Sequence, residues 1–110
     1  MQVNLTKTGG KITEIHYAYE PQANRIVATT DEGQEVGLIE YTVDQGYWNA
    51  NHTWVDPEFR GYSIARNLVN MLAETARSEG VRILPTCSYA KHVMEKEESF
   101  ADVLFKPETF

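Results

Sequence analysis

The first half of the chain is organised in short runs that alternate hydrophobic and polar residues and contain many β-branched residues. A period of two is typical of a strand with one buried face, so each run predicts a β-strand. Short segments with glycine, proline or asparagine separate the runs and favour tight turns, which makes consecutive strands antiparallel neighbours. The predicted strands of this meander are residues 12–19, 25–30, 36–43 and 47–55.

The period changes in the second half of the chain. From residue 64 to residue 79 the hydrophobic residues recur every three or four positions, which predicts an amphipathic helix. Gly80 follows this pattern directly and is a good C-terminal stop for the helix. The hydrophobic stripe consists of Ile64, Leu68, Met71 and Leu72, and it is widened by Ala65, Val69, Ala73 and Ala76.

The last third of the chain adds one strand and one short helix. Residues 81–87 resemble a strand, in which Pro85 favours an edge or splayed position because proline has no N–H for the ladder. Ser88 is a candidate N-cap for the short helix that follows. Residues 99–110 form a tail that is apolar enough to dock on the body of the protein.

Together these elements predict an α+β domain with a mixed sheet. A right-handed crossover through the long helix would place the strand at 81–87 parallel to the strand that ends at Val55. A chain of 110 residues suits one compact domain, so residues 1–110 are predicted to form a single unit. Residues 1–11, which end just past a glycine pair, are predicted to be a loosely held arm.

Composition and charge restrict the location and the partners. Cys87 is the single cysteine, so no intrachain disulfide forms, which fits a reducing cytosol, and the N-terminus lacks the pattern of a signal peptide. No hydrophobic run approaches the length of a membrane span. The net charge of −6 without a basic cluster disfavours nucleic acid as a partner. His16, His52 and His92 lie far apart in sequence, so we expect no metal site. Taken together, these features predict a cytoplasmic protein.

The connection between the strand that ends at Val55 and the helix that begins at Ile64 carries the most informative pattern. Pro57 stops the strand, and a tight turn around Gly61 then leads into the helix. Such a turn leaves backbone N–H groups free at the positive end of a helix, which favours a phosphate group, and Arg60 adds a cation. An ordinary strand–loop–helix connection with a turn glycine explains the same residues.

Three segments together resemble the GNAT superfamily of acetyl-CoA-dependent N-acyltransferases. They are the strand His52-Thr-x-Val, the loop Pro57-Glu-Phe-Arg-Gly-x-x-Ile-Ala and the run Pro85-Thr-Cys-Ser-Tyr-Ala-Lys-His. The resemblance covers residues 25–104 and is strongest to the small single-domain branch with a cysteine after the last strand. The superfamily's loop has Arg or Gln, then Gly, then Gly or Ala at fixed spacing. Here Arg60 and Ala65 match, whereas Ser63 takes the place of the middle glycine.

The resemblance implies a GNAT-like mixed sheet, in which a splayed parallel strand leaves a gap for the pantetheine arm of acetyl-CoA. It implies that the backbone around Trp54 and Val55 hydrogen-bonds this arm and the acetyl oxygen. Lys91 and His92 are candidates for contact with the coenzyme's phosphates, although a solvated helix face explains them equally well. The implied pyrophosphate loop consists of Arg60, Gly61, Tyr62, Ser63, Ile64 and Ala65, with Ser88 as a further coenzyme contact.

Three residues are candidates for the chemistry that the resemblance implies. Cys87 is a candidate nucleophile or acetyl-site residue, and the alternative is a small buried hydrophobe. His52 is a candidate general base, and the alternative is a strand histidine bonded to a neighbour. Tyr89 is a candidate proton donor to the leaving thiolate, and the alternative is a tyrosine of the core.

The function implied by the resemblance is transfer of an acetyl group from acetyl-CoA to a primary amine, on a small molecule or a protein lysine. The alternative is a non-catalytic acyl-CoA-binding or regulatory module, which Ser63 in the loop and the lack of an obvious strong base favour. A plain anion-binding domain that serves a protein partner is a third option. Because the chain is short, a partner or a second subunit, as in a homodimer, would complete the acceptor site.

Overall fold

The computed structural model describes residues 2–8 and 11–106 of the chain, with side chains described from residue 14 onward. The strands are β1 (Gln2–Thr8), β2 (Lys11–Glu20), β3 (Arg25–Thr30), β4 (Glu35–Asp44), β5 (Tyr47–Val55) and β6 (Arg82–Pro85). The helices are α1 (Ile64–Glu79) and α2 (Ser88–Lys96), and 3-10 turns occupy Pro21–Ala23, Pro57–Phe59 and Glu98–Phe100. Neither α1 nor α2, nor any other helix of the described residues, has the length and apolar character that a membrane crossing requires.

All the described strands form one sheet in the order β1-β2-β3-β4-β5-β6. Neighbouring strands from β1 to β5 are antiparallel, because short turns join them, whereas β6 lies parallel to β5. α1 supplies the crossover between β5 and β6. The predicted α+β class, with an antiparallel meander and one parallel strand after a long helix, is therefore confirmed.

The N-terminal segment contains a strand, so the prediction of a loose arm over residues 1–11 is wrong for Gln2–Thr8. β1 pairs with β2 in antiparallel register over its whole length. The cause lies in the sequence, where Val3 and Leu5 alternate with polar residues at the period of a strand. Met1, Gly9 and Gly10 lie outside the described residues.

α1 packs on the sheet through the hydrophobic face that its period predicts, and full burial of each large side chain contributes about 1.5–3 kcal/mol. Gly37 on β4 allows the first turn of α1 to come close. A Cβ at this position would lie 3.0 Å from Cγ2 of Ile64 and 3.2 Å from the carbonyl oxygen of Trp54. The start of α1 therefore rests directly on β4 and β5. The buried residues of α1 are Ile64, Leu68, Val69, Leu72, Ala73 and Ala76.

The two faces of the sheet differ near the end of β5. Gly37 lies beneath α1 and pairs with Val55, so the side chain of Val55 also faces α1. Side chains alternate along a strand, and Trp54 and His52 therefore project from the other side, which we call the open face. Both side chains are exposed there, and Trp54 is 37% exposed.

β5 and β6 separate part-way along β5. Their parallel register ends at the pair Ala50↔Pro85, and β5 continues to Val55 with no partner on that side among the described residues. A β-bulge lies at the same level, because the register between β4 and β5 skips Asn51. A bulge bends its strand, so β5 turns away from β6 at this point. The splayed strand is confirmed, and a V-shaped gap opens between β5 and β6.

α2 starts at the narrow end of this gap. The N–H groups of Thr86 and Cys87 both donate to the carbonyl oxygen of Ala50, at 2.9 and 3.0 Å, and the chain then turns into the helix. Cys87 is the N-cap residue and Ser88 is the first helical residue, so the predicted cap at Ser88 is wrong by one position. The predicted strand over residues 81–87 is shorter in the structure and ends at Pro85, because the chain turns into α2 directly afterwards.

The C-terminal segment docks on β6, as its apolar character predicts. Ile83 donates its N–H to the carbonyl of Val103 and accepts from the N–H of Phe105, both at 2.7 Å. Val103 and Leu104 are buried in the common core, and the ring of Phe105 stacks on Tyr47. Residues 107–110 lie outside the described residues.

Candidate active site

The loop between β5 and α1 is ordered by its own hydrogen bonds and by one buried side chain. The N–H of Asp56 donates to the carbonyl of Val36 at 2.8 Å, and Oδ1 of Asp56 accepts from the N–H of Glu58 at 2.9 Å. Phe59 is buried in the core, and its N–H donates to the carbonyl of Asp56 at 2.8 Å. These contacts hold the chain just before the residues that turn it into α1.

The backbone N–H groups of residues 61–66 have no hydrogen-bond partner within the part of the chain that the structure describes. The next N–H, that of Asn67, donates to the carbonyl of Ser63 at 2.9 Å and begins the helical ladder. The first turn of a helix leaves such donors free, and together with the positive end of the helix dipole they attract anions. The loop therefore offers what a phosphate group needs.

Ser63 adopts backbone angles that glycine takes more easily. Its φ is +66° and its ψ is 19°, which lies in the left-handed region, and Gly61 in the same turn has a φ of +88°. A residue with a Cβ is strained in this region by about 1–2 kcal/mol. Backbone geometry thus explains why a glycine is expected at this position of the loop, and Ser63 keeps the turn despite the strain.

A cavity of about 220 Å³ lies in front of the turn. Its walls come from the end of β5, the loop, the first turn of α1 and Tyr89 on α2. Phe59 and Arg66 also line it, although the sequence pattern pointed to neither of them. The predicted coenzyme-binding residues that line the cavity are Val55, Arg60, Gly61, Ser63, Ile64 and Ala65.

A family model of GCN5-related N-acetyltransferases matches residues 25–103, which is most of the chain. The chain belongs to the GCN5-related N-acetyltransferase family. Among solved structures, it is similar to a GCN5-like candidate N-acetyltransferase from Staphylococcus aureus, with 32% sequence identity and a TM-score of 0.67. That match covers 84% of this chain and 90% of the Staphylococcus aureus chain.

Two more distant structures were also matched. Nourseothricin acetyltransferase shares the fold at 21% identity and a TM-score of 0.52, with 86% of this chain and 65% of that chain covered. An aminoglycoside N-acetyltransferase in complex with CoA matches at 18% identity and a TM-score of 0.48, with 78% and 62% covered. No curated protein matches the sequence.

Membership of this family settles the type of reaction. The GCN5-related N-acetyltransferase described here uses acetyl-CoA as its cosubstrate and transfers the acetyl group to an amine. The predicted family, fold, enzyme class and cosubstrate are therefore confirmed.

Cys87 lies in this acetyltransferase at the narrow end of the gap. Its thiol donates to Oγ1 of Thr53 on β5, with Sγ and Oγ1 3.4 Å apart. Burial raises the pKa of the Cys87 thiol, but the N–H of Ala90, the Thr53 hydroxyl and the N–H of Tyr89 favour the thiolate, and the net effect lowers the pKa. Cys87 is the N-cap residue of α2, so the N–H groups at the start of this helix act on its sulfur.

Tyr89 lines the cavity from the first turn of α2 and is 37% exposed. Burial raises the pKa of its hydroxyl, the positive charge of Arg66 opposes this shift and the negative charge of Glu97 adds to it. The hydroxyl therefore keeps its proton at neutral pH. A protonated hydroxyl beside the cavity is able to donate that proton.

The other predicted site residues lie outside the cavity. His52 and Trp54 are on the open face, where His52 is exposed beside its β4 partner Glu40. Tyr62 is partly buried against the core. Ser88, Lys91 and His92 are exposed along α2.

Among the described residues, a cluster of side chains of the kinds that bind metals lies away from the cavity, on β2 and the turn after β3. Nε2 of His16 lies 3.3 Å from Oε1 of Glu14 and 3.5 Å from Oδ1 of Asp31. All three side chains are at least partly exposed to solvent, and contact between the imidazole and the two carboxylates explains their arrangement. The expectation of a protein without a metal site stays a prediction.

Proposed function

We propose that acetyl-CoA lies along the gap between β5 and β6, with its pyrophosphate at the N-terminus of α1 and its thioester near Cys87. The observation that carries this proposal is the coincidence of two features. The unpaired N–H groups of residues 61–66 lie at the open end of the gap, and the thiol of Cys87 lies at its narrow end. A thioester with a long amide-containing arm and a pyrophosphate matches both ends.

The unpaired edge of β5 provides the path between these ends. From Asn51 to Val55 the strand has no partner on its β6 side among the described residues, so its backbone groups on that side are free. The amides of a pantetheine arm can pair with them as an added strand would. Trp54 and Val55 would act here through their backbone, which is consistent with the projection of the Trp54 side chain from the open face.

The chemistry requires a nucleophilic amine, a polarised carbonyl and a proton for the leaving thiolate. The amine nitrogen attacks the thioester carbon, the carbon–sulfur bond breaks, and Tyr89 donates its proton to the coenzyme thiolate. In the direct route Cys87 lines the acetyl site. In the alternative route its thiolate first accepts the acetyl group and then passes it to the amine. Only the second route gives an acetylated protein, which intact mass spectrometry detects.

The acceptor in this proposal is a cationic primary amine, either a small molecule or a protein lysine. His52 is exposed on the open face beside Glu40, so a base and a carboxylate are available to an amine that approaches from that side. The net charge of −6 also favours a cationic acceptor. His52 would take the proton that the amine loses.

Calorimetry with acetyl-CoA and free CoA tests the coenzyme site, and a panel of small amines and lysine peptides tests transfer. Ala65→Glu places a carboxylate among the free N–H groups and should abolish binding by charge repulsion. Asn70→Glu, on the same helix but not at the cavity, is the matched control and should bind normally. Absence of binding by the unmodified protein at millimolar coenzyme would refute the proposal. Binding without transfer to any amine would favour the regulatory module.

The proposal also includes location and assembly. A cytoplasmic location suits the free thiol of Cys87, and residues 1–110 are taken to act as one domain without nucleic acid or membrane partners. In a homodimer the second subunit would add to the acceptor surface around His52 and Glu40. Light scattering in solution tests the dimer, and a monomer with full activity would exclude that part of the proposal.

A further inference from the structure

Trp54 and Glu40 border a patch on the open face of the sheet. Trp54 pairs directly with Leu38 of β4, and Glu40, which pairs with His52, is the diagonal neighbour of Trp54 on the same face. Diagonal neighbours lie about 7–8 Å apart, within reach of an aromatic and a long side chain. Trp54 is 37% exposed, so its indole is accessible there. We call the surface of Leu38, Glu40 and Trp54 the open-face patch.

Glu40 lacks a cation partner among the described residues, although an arginine lies directly opposite it. The carboxylate of Glu40 is half-buried. Arg25 on β3 is its partner in the sheet register, but Nε of Arg25 donates to Glu20 at 2.5 Å and Nη2 donates to Glu35 at 3.2 Å. A half-buried carboxylate without a partner is costly, so Glu40 favours a cation from outside the chain.

The open-face patch has the chemistry that an alkylammonium group needs. The face of an indole attracts cations, and tryptophan does so better than the other aromatic side chains. The carboxylate of Glu40 adds charge-assisted hydrogen bonds. Leu38 lies between them on the sheet surface and offers an apolar contact to methylene groups. A carboxylate, an aromatic ring and an apolar floor together suit a cation on an alkyl chain.

This patch lies close to the place where the acetyl group would be transferred. Thr53 stands between His52 and Trp54 in β5 and projects to the other side of the sheet, where its hydroxyl meets the thiol of Cys87 at 3.4 Å. β6 does not pair with this part of β5. Only the thickness of one strand therefore separates the open-face patch from the thiol, and an acceptor on the open face reaches the thioester beside the free edge of β5.

The nitrogen that binds at the patch differs from the nitrogen that is acetylated. An attacking amine must be neutral, whereas a nearby carboxylate raises the pKa of an amine and favours its charged form. An amine held by Glu40 and Trp54 would therefore be a poor nucleophile. The patch suits a nitrogen that keeps its charge while another nitrogen of the same acceptor reacts.

We propose that the acceptor carries a second cationic group besides the amine that is acetylated, and that Glu40 and Trp54 bind this group on the open face. The inference deepens the proposed function and rests on it. Unbranched diamines carry such a group, and so does a protein lysine that has an arginine beside it. In both cases the shared chemistry is a primary amine joined to a second cation by an alkyl chain or a short piece of backbone.

The competing explanation gives the open-face patch no part in recognition. Trp54 and Leu38 then contribute only to the packing of the sheet, and the charge of Glu40 only to solubility. In that case substitutions in the patch change stability and leave the choice between acceptors unaltered. A binding role changes that choice.

The main test compares acceptors that differ only in the second cation. Putrescine is compared with butylamine and cadaverine with pentylamine, after correction for the two equivalent amines of each diamine. A blocked Lys-Arg peptide is compared with its Lys-citrulline counterpart, because citrulline is a neutral isostere of arginine. Measurement of kcat/KM at saturating acetyl-CoA should show a preference for the dicationic member of about tenfold or more, as expected for a bond to a charged group. A preference in the diamines alone, or in the peptides alone, identifies the source of the second cation.

Two variants of the patch test which residues create the preference. Glu40→Gln removes the charge at nearly constant shape and should reduce the preference by about tenfold. Trp54→Leu removes the aromatic face and should reduce it by about threefold. The matched control is Asp44→Asn, which removes the same charge from the same face of β4 at the far end of the strand, and it should keep the preference. Thermal unfolding and calorimetry with acetyl-CoA check that each variant is folded and binds the coenzyme.

The results separate this inference from the proposal on which it rests. If the unmodified protein acetylates the monocationic and dicationic members of every pair equally well, the inference is overturned and acetyl transfer to an amine stands. A full preference in Glu40→Gln overturns the role of Glu40, and a full preference in Trp54→Leu overturns that of Trp54. If the unmodified protein acetylates none of these amines, the proposed function fails and the inference falls with it.

Discussion

Replacement of Ser63 by glycine should stabilise the protein. Ser63 has a φ of +66°, where a Cβ costs about 1–2 kcal/mol, and glycine removes that cost. Glycine also raises the conformational entropy of the unfolded chain, which reduces this stabilisation by about 0.4–1 kcal/mol. The Ser63 side chain forms no cap hydrogen bond, so no capping energy is lost. The net gain is about 0.5–1 kcal/mol, which for a domain of this size raises Tm by about 2–4 °C.

Thermal unfolding without coenzyme measures this gain, and Ser63→Ala is the control because alanine keeps the Cβ and lacks the hydroxyl. Ser63→Gly should be more stable than both Ser63→Ala and the unmodified protein. If Ser63→Gly is no more stable than Ser63→Ala, the strain at this position is refuted. CoA affinity of the same variants then separates two roles of Ser63. Tighter binding in the glycine variant alone indicates crowding by Cβ, whereas weaker binding in both, by about 1 kcal/mol, indicates a bond from the hydroxyl.

Gly37→Ala should cost about 1–3 kcal/mol in urea unfolding, because the new Cβ would lie 3.0 Å from Cγ2 of Ile64, and an unchanged midpoint would contradict this close packing. Alkylation of Cys87 by iodoacetamide should reach half of its maximal rate at a lower pH than in the unfolded chain, because its folded pKa is lowered. Thr53→Val should move that midpoint upward, and an unmoved midpoint would exclude a contribution from Thr53. Since the folded pKa lies below the unfolded one, the stability contributed by Cys87 should be present above the unfolded pKa and be lost as pH falls through the folded pKa. Tyr89→Phe should lower kcat by about 100-fold with little change in CoA affinity, and an unaltered kcat would remove Tyr89 as the proton donor.

The meander and α1 are predictable from the sequence because each carries its own period. In β3, β4 and β5 the alternation of side chains and the turn residues between them specify antiparallel neighbours. The same period is present in Gln2–Thr8, so the sequence pattern also permits the strand β1. Its partner is a long β2, and the glycine pair between them suggests a loose segment as readily as a hairpin. Local pattern alone does not decide between these two outcomes.

The site is harder to predict because it depends on what surrounds each residue. The helical period places Arg66 away from the hydrophobic stripe of α1, which at most positions means solvent. In the first turn the same side of the helix faces the cavity, and Glu97, far along the chain, pairs with the guanidinium. The available signal is the position of Arg66 in the first helical turn after the glycine-containing loop. His52 is predicted as a site residue but lies outside the cavity. Its place on the open face follows from the pairing of Val55 with Gly37, and this strand register cannot be read from the sequence.

The gap and both of its ends follow from one local event in the sheet. The bulge at Asn51 bends β5, and at the same level the carbonyl of Ala50 accepts N–H groups from Thr86 and Cys87, so β6 stops and α2 begins. The N-terminus of α2 therefore lies at the narrow end of the gap, beside the Cys87 thiol. The freed part of β5 leads to the turn that starts α1, whose N-terminus lies at the open end. Two positive helix ends thus flank one path. In the proposed placement of the coenzyme, one of them lies where negative charge develops on sulfur and oxygen during transfer, and the other lies beside the pyrophosphate.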